Sequence, residues 1–197
     1  MRAIFLDKDG TLVEDVPYNV NPERVVLCPH AVDGLRLLQQ QGYALIVISN
    51  QAGVAKGYFS ETDLLQLQRH LTLLLQEHDI ALSGLYYCPH SPDGSIAPYA
   101  RHCRCRKPMP GMIIKAAREH DIETARSWMI GDILDDVEAG HRAGCKAVLI
   151  DNGNETEWKH GQFRTPDLVV RDLHAAAAAI VAADAAGTVM AQEAIRQ

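Results

Sequence analysis

Residues 3–11 read Ala3-Ile4-Phe5-Leu6-Asp7-Lys8-Asp9-Gly10-Thr11: four apolar residues, two carboxylates two positions apart, then Gly-Thr. A short apolar run ended abruptly by polar turn residues is the pattern of a buried strand. Working outward, the same unit recurs at Ala44–Ser49, Gly84–Tyr87, Ser127–Ile130 and Ala147–Ile150, with Leu168–Val170 as a weaker sixth. Helix-period stretches separate these runs. Val32–Gln41 stops at Gly42, and Ser60–His78 opens on the capping-box pattern Ser60-Glu61-Thr62-Asp63 with Leu64, Leu67, Leu71, Leu74 and Leu75 on one face. Pro110–His120 and Leu134–Ala143 supply two more helices, and Asp172 opens a last one through Val181.

Strand and helix alternating in this way predict an α/β fold of Rossmann-like type: an open, mainly parallel sheet with helices on both faces. One domain over residues 1–185 is expected, with residues 186–197 a frayed tail. In such sheets ligands bind beyond the carboxyl ends of the strands. Asp7, Ser49-Asn50, Cys88 and Asp132 all stand at such ends.

Composition narrows the function classes. The chain has 197 residues, 47% of them apolar, a formal charge of -6 and a pI near 5.8. That balance gives no surface for nucleic acid, whereas a small site can still be locally positive. Asp7 interrupts the N-terminal apolar run, and no run of about 20 apolar residues follows to cross a bilayer. A soluble, cytoplasmic protein without a membrane partner is expected, acting as a monomer. Five cysteines, an odd number, fit a reducing compartment.

At a strand end, Asp7 can attack phosphorus and Asp9 can protonate a leaving oxygen and then activate water. Gly10 permits a backbone conformation that a side chain resists. Three further pieces follow in order: Ile48-Ser49-Asn50, Arg106-Lys107-Pro108 and Gly131-Asp132-Ile133-Leu134-Asp135-Asp136. A hydroxyl and an amide can hold phosphate oxygens, and Lys107 can neutralise a transferring phosphoryl group. Asp132 and Asp136, one helical turn apart, add carboxylates that repel Asp7 unless a divalent cation sits among them; a hard oxygen site beside phosphate suits Mg²⁺.

A second constellation is Cys88-Pro89-His90 followed by Cys103-Arg104-Cys105. Three thiolates and one imidazole complete a tetrahedral zinc site with no open position, which makes it structural. The loop from Ser91 to His102 has little apolar content, so a metal would pin it and fix Arg106 and Lys107 just beyond; His102 is a possible alternative ligand. Cys28 and Cys145 are isolated, and Trp128 and Trp158 read as packing residues.

The four motif segments resemble the signature motifs of haloacid-dehalogenase-type phosphatases. The resemblance implies Asp7 as nucleophile, Asp9 as acid/base, and Mg²⁺ held by the Asp7 carboxylate, the Asp9 backbone carbonyl and Asp132, with Asp136 behind them. Within that superfamily, residues 50–59, Tyr86-Tyr87-Cys88-Pro89-His90 and residues 103–112 resemble the D-glycero-D-manno-heptose 1,7-bisphosphate 7-phosphatases. Histidinol-phosphate phosphatases are related and share both hooks. The heptose resemblance implies a small phosphorylated sugar as partner, met by Lys8, Thr11, Ser49, Asn50, Gln51, Arg106 and Lys107. Arg106 and Lys56 are candidates for a second phosphate. Two positions depart from that pattern: Ser49 replaces the frequent Thr, and Ile133 follows Asp132 where a Lys or Arg is common. Only about 40 residues separate Asp7 from Ser49, too few for a large cap once a helix and a strand are placed. The zinc loop and residues 15–20 are left as substrate walls. A catalytically silent, zinc-stabilised phospho-ligand binder and a polynucleotide 3′-phosphatase are the rival readings; the second lacks a basic stripe.

Overall fold

The computed structural model describes residues 1–195, with side chains described through Ala186. Six strands form one sheet: β1 (Ala3–Leu6), β2 (Ala44–Asn50), β3 (Leu82–Cys88), β4 (Trp128–Gly131), β5 (Lys146–Ile150) and β6 (Leu168–Val170). Their order is β3-β2-β1-β4-β5-β6, and every pairing is parallel. The chain therefore starts in the middle and winds outward in both directions, which leaves a crevice at the carboxyl ends of β1, β2 and β4.

Because successive strand residues point to opposite faces, each strand feeds two cores. Ile4, Leu6, Leu45, Val47, Ile130 and Val148 face one side, where α1 (Ala31–Gln40), α6 (Leu173–Ile195) and the inner residues of α3 (Glu61–Gln76) pack. Phe5, Ile46, Ile48, Met129 and Leu149 face the other side, covered by α4 (Gly111–Glu119) and α5 (Leu134–Arg142). Both faces are covered, so the strands read as continuous apolar runs without polar alternation.

The capping box at Ser60 is present: the Ser60 hydroxyl accepts from the Asp63 N–H while the Asp63 carboxylate accepts from the Ser60 N–H. Such a cap contributes about 1 kcal/mol. Gly42 has φ +78°, as a residue just past a helix end often must. Three expectations need correction. A one-turn helix, α2 (Gly53–Lys56), follows β2 where no helix was expected. The last helix passes Val181 and reaches Ile195. Residues 186–195 of the expected frayed tail belong to that helix, and residues 196–197 lie outside the described residues. Trp158 is half exposed and is not a packing residue like buried Trp128. No helix among the described residues is long and apolar enough to cross a membrane.

Candidate active site

Asp7 sits one residue past β1, and its N–H donates to the Ile130 carbonyl at 2.9 Å, extending the β1–β4 ladder into the turn. The Lys8 carbonyl then accepts from the N–H groups of Leu12 and Val13 at 3.0 and 2.9 Å, folding residues 8–13 back on themselves. Gly10 takes φ +84°, and a Cβ there would lie 2.1 Å from Asp132 Oδ2. A glycine is thus required both by conformation and by space. At β4 space alone calls for Gly131, whose added Cβ would meet Asp136 Oδ2 at 2.3 Å.

These turns gather Asp7, Asp132 and Asp136 so that one carboxylate oxygen of each lies within 4.8 Å of the others, all three buried. Lys107 enters from below. Lys107 is 3% exposed, and its ammonium is paired with Asp7 Oδ1, lies 2.6 Å from Asp136 Oδ1 and donates to the Ile48 carbonyl at 3.0 Å. One ammonium does not balance three carboxylates. Burial pushes the Asp7 carboxyl up to about 7 against the pull of Lys107, with Asp136 and Asp9 adding to the rise. Burial and the Asp7 charge raise Asp132 to about 6, and burial also raises Asp136. Lys107 is raised in turn, because the attraction of Asp136 and Asp7 outweighs its own desolvation. The contact that Asp136 Oδ1 makes is with the Lys107 ammonium, which Asp7 shares. Three buried carboxylates whose oxygens converge, with one ammonium among them and negative charge in excess, are the donor set a hard divalent cation requires.

Asp9 stands at the mouth. Lys8 Nζ is 2.5 Å from its Oδ1, and Gln51 Nε2 donates to its Oδ2 at 3.1 Å and to Ser49 Oγ at 2.7 Å. Its side chain remains 30% exposed, open to the cavity. Asn50 does something else: its Oδ1 accepts from the Lys107 N–H at 3.0 Å and its Nδ2 donates to the Lys107 carbonyl at 3.2 Å. The Asn50 amide thereby fixes the backbone that carries the lysine.

Beside this centre, Cys88, His90, Cys103 and Cys105 converge, their ligand atoms also within 4.8 Å of one another. Sulfur–sulfur distances are 3.1, 3.2 and 3.5 Å, and His90 Nδ1 lies 3.3 Å from Cys105 Sγ and 3.6 Å from Cys88 Sγ. A tetrahedral zinc with thiolate and imidazole bonds needs edges of about 3.5–3.8 Å, so a slight expansion would admit the ion. Hydrogen bonds from its neighbours, Cys88 first, lower the Cys105 thiol to about 5, while Cys88 is raised by the same pairing. His102, the alternative ligand, is outside the four-residue group. The loop these residues close docks on α2: the Ser95 and Ile96 N–H groups donate to the Ala55 carbonyl at 2.8 and 2.9 Å. Arg106 Nη1 reaches back to the His90 carbonyl at 3.5 Å.

Residues 104–176 match the HAD-hydrolase-like family. The D-glycero-beta-D-manno-heptose-1,7-bisphosphate 7-phosphatase of Yersinia pestis is 40% identical over 153 residues, which cover 77% of this chain and 81% of that one. The chain belongs to the heptose-bisphosphate phosphatase family. Among solved structures of this HAD type, a HAD-like phosphatase from Mesorhizobium loti superposes with a TM-score of 0.80 at 30% identity, over 91% of this chain and 86% of that one. The D,D-heptose 1,7-bisphosphate phosphatase of B. bronchiseptica, solved with magnesium and phosphate, gives 0.74 at 28% identity over 92% and 98%.

The family's motif positions are brought together as the sequence suggested: Asp7, Asp9, Asn50, Lys107, Asp132 and Ile133 line one open cavity. A neighbouring groove shares Asp9 and Asn50 with it and runs past Gln51, Arg106 and Tyr18. Thr11 lies beneath, its hydroxyl 3.4 Å from Asp132 Oδ1. The sequence reading missed residues 152–156, which follow β5. Gly153, Asn154 and Thr156 line the catalytic cavity. Asn152 Nδ2 donates to the Gly10 carbonyl at 2.8 Å, and Asn154 Nδ2 donates to Asp132 Oδ2 at 2.6 Å. Their one visible signal was position: a polar Asn-Gly-Asn turn at the carboxyl end of a fifth parallel strand.

Proposed function

We propose that this protein hydrolyses the 7-phosphate of D-glycero-β-D-manno-heptose 1,7-bisphosphate through an aspartyl-phosphate on Asp7. The single observation that carries the reading is the buried Asp7–Lys107–Asp136 ion cluster beneath an open cavity, with Asp9 at its mouth. Lys107 holds Asp7 as a carboxylate aimed into the cavity. The Asp7 oxygen attacks phosphorus, the bond from phosphorus to the sugar oxygen breaks, and Asp9 gives that oxygen its proton. Asp9, now a carboxylate, takes a proton from water as the water oxygen attacks the same phosphorus. Phosphate leaves, and Asp7 and the Asp9 acid are restored.

Asp7, Asp132 and the Asp9 backbone carbonyl would hold magnesium, with Asp136 behind them. When bound, the cation neutralises the phosphoryl oxygens and the acidic cluster. The bound magnesium of the B. bronchiseptica relative supports this choice. Ser49, Gln51, Thr11 and Lys8 orient the phosphoryl group and the Asp9 carboxyl. Arg106, on the neighbouring groove, meets the far end of the sugar bisphosphate. Zinc on Cys88, His90, Cys103 and Cys105 would take no part in the reaction; it would hold the loop that fixes Arg106 and Lys107. The unit folds as one domain over residues 1–185.

Specificity constants for both anomers of the heptose bisphosphate and for histidinol phosphate, each with magnesium, test the reading. A preference for the β bisphosphate is expected. A preference for histidinol phosphate would overturn the substrate, and release of phosphate from none of them would overturn the activity.

A further inference from the structure

The loop after β5 touches both halves of the acidic centre. Asn152 holds the nucleophile turn through the Gly10 carbonyl, and its Oδ1 accepts from the Asn154 N–H at 3.1 Å, so the two amides form one unit. Asn154 then donates to Asp132 Oδ2 at 2.6 Å, and a Cβ on Gly10 would lie 2.5 Å from Asn154 Nδ2. Next in the chain, buried Glu155 accepts from the Leu134 N–H at 2.6 Å, the first residue of α5, whose first turn carries Asp136. Its other oxygen accepts from the N–H groups of Glu157 and Trp158 at 2.8 and 3.2 Å, which closes the loop on itself.

The loop's far end is also tied down. Arg164 Nη1 donates to Asp135 Oδ1 and Glu138 Oε2, both at 2.8 Å, and His141 bridges the Phe163 carbonyl and Asp167 at 2.9 and 2.8 Å. A loop anchored at both ends, with one amide on a buried carboxylate, is a device for orientation. A carboxylate with one oxygen engaged by an N–H donor has its rotation fixed and presents the other oxygen in one direction.

We infer that Asn154 and Glu155 are positioning residues for the reaction: Asn154 orients Asp132, Glu155 fixes the first turn of α5, and together they set the cation affinity of the acidic centre. This rests on the reading of that centre as a magnesium site. Outer partners of metal-binding carboxylates typically contribute 10–100-fold in metal affinity. Attack and proton transfer are assigned to Asp7 and Asp9, so the expected loss at Asn154 and Glu155 is one of magnesium affinity.

The test is calorimetric titration of magnesium into chelator-treated, zinc-replete protein, comparing wild type with Asn154→Ala and Glu155→Gln, alongside thermal melting without magnesium. Asn154 is exposed, so its truncation leaves the core closed. Asn154→Ala is expected to weaken magnesium binding about 10–100-fold with little change in the magnesium-free melting temperature. The magnesium concentration that half-saturates turnover should rise by a similar factor. Asn154→Ser, which keeps a donor hydroxyl, should recover part of the affinity. Magnesium affinity within twofold of wild type in both variants overturns the inference while leaving the phosphatase reading intact. A wild-type protein that binds no magnesium overturns both.

Discussion

Among its described residues the chain gathers two sets of candidate metal ligands, and they are built on opposite plans. Asp7, Asp132 and Asp136 are hard, buried ligands set into the densest part of the fold, at the ends of central strands. Cys88 is buried, but His90, Cys103 and Cys105 are only half-buried, on a loop with almost no core of its own. At the first site the fold holds charges where they would not otherwise remain, at a cost visible in the raised carboxyls. At the second, a bound ion would replace the packing the loop lacks. Burial tunes reactivity in one case; coordination replaces hydrophobic packing in the other.

The sharpest way to break that contrast is at Asp7. Asp7→Asn keeps the shape and is expected to abolish phosphate release by about 10⁴-fold, with the fold intact by circular dichroism. Retained activity would mean the buried acids are structural after all. Lys107→Met comes next. It leaves Asp7 and Asp136 buried without their cation, so stability should fall by about 3–5 kcal/mol and turnover by about 10²–10³-fold. Denaturant melts and steady-state rates read the two losses separately.

At the soft site the expected effect is on stability first. Cys88 and Cys103 are 15 residues apart, and closing a loop of that size contributes about 3 kcal/mol by analogy with a crosslink. Cys103→Ser or removal of zinc should lower Tm by roughly 6–12 °C for a domain of this size while cutting turnover far less than Asp7→Asn. A metal-free protein of unchanged Tm would remove the distinction between the sites.

The smallest effect is in pH. Asp7 and Asp132, raised to about 7 and about 6, bind more protons in the folded than in the unfolded state between their ordinary values and those values. The magnesium-free protein should therefore lose stability as pH rises from about 4 to 7. Magnesium competes with those protons, so its stabilising increment should grow over the same range. Melting curves at pH 5 and 7.5, with and without magnesium, check the sign.

Much of this was legible in the sequence because it depends on local pattern. Six apolar runs bounded by turn residues became six parallel strands; of the residues at their carboxyl ends, Asp7, Asn50 and Asp132 line the cavity, whereas Ser49 is buried and Cys88 belongs to the Cys/His group. What escaped was tertiary. Helix α2 is one turn of Gly-Val-Ala-Lys, too short to show a period. Asn154 reads as a turn residue, and its partner Asp132 is 22 positions away. Asn50 was read as a phosphate contact, yet its amide is spent on the Lys107 backbone. Trp158 was read as a packing residue, but it stands half exposed. Ile133 lines the cavity where the family resemblance implies a Lys or Arg, and Arg106 is the basic residue lining the neighbouring groove.

The central claim is a covalent phosphate on Asp7, and it can be tested directly. Magnesium-loaded protein turning over the heptose bisphosphate is quenched in acid, reduced with borohydride and digested for mass spectrometry. An acyl phosphate on Asp7 is reduced to homoserine, so the account predicts homoserine at position 7 in protein that met substrate and not in protein that did not. Phosphate release with Asp7 unmodified, or homoserine at Asp9 or Asp132 instead, would contradict it.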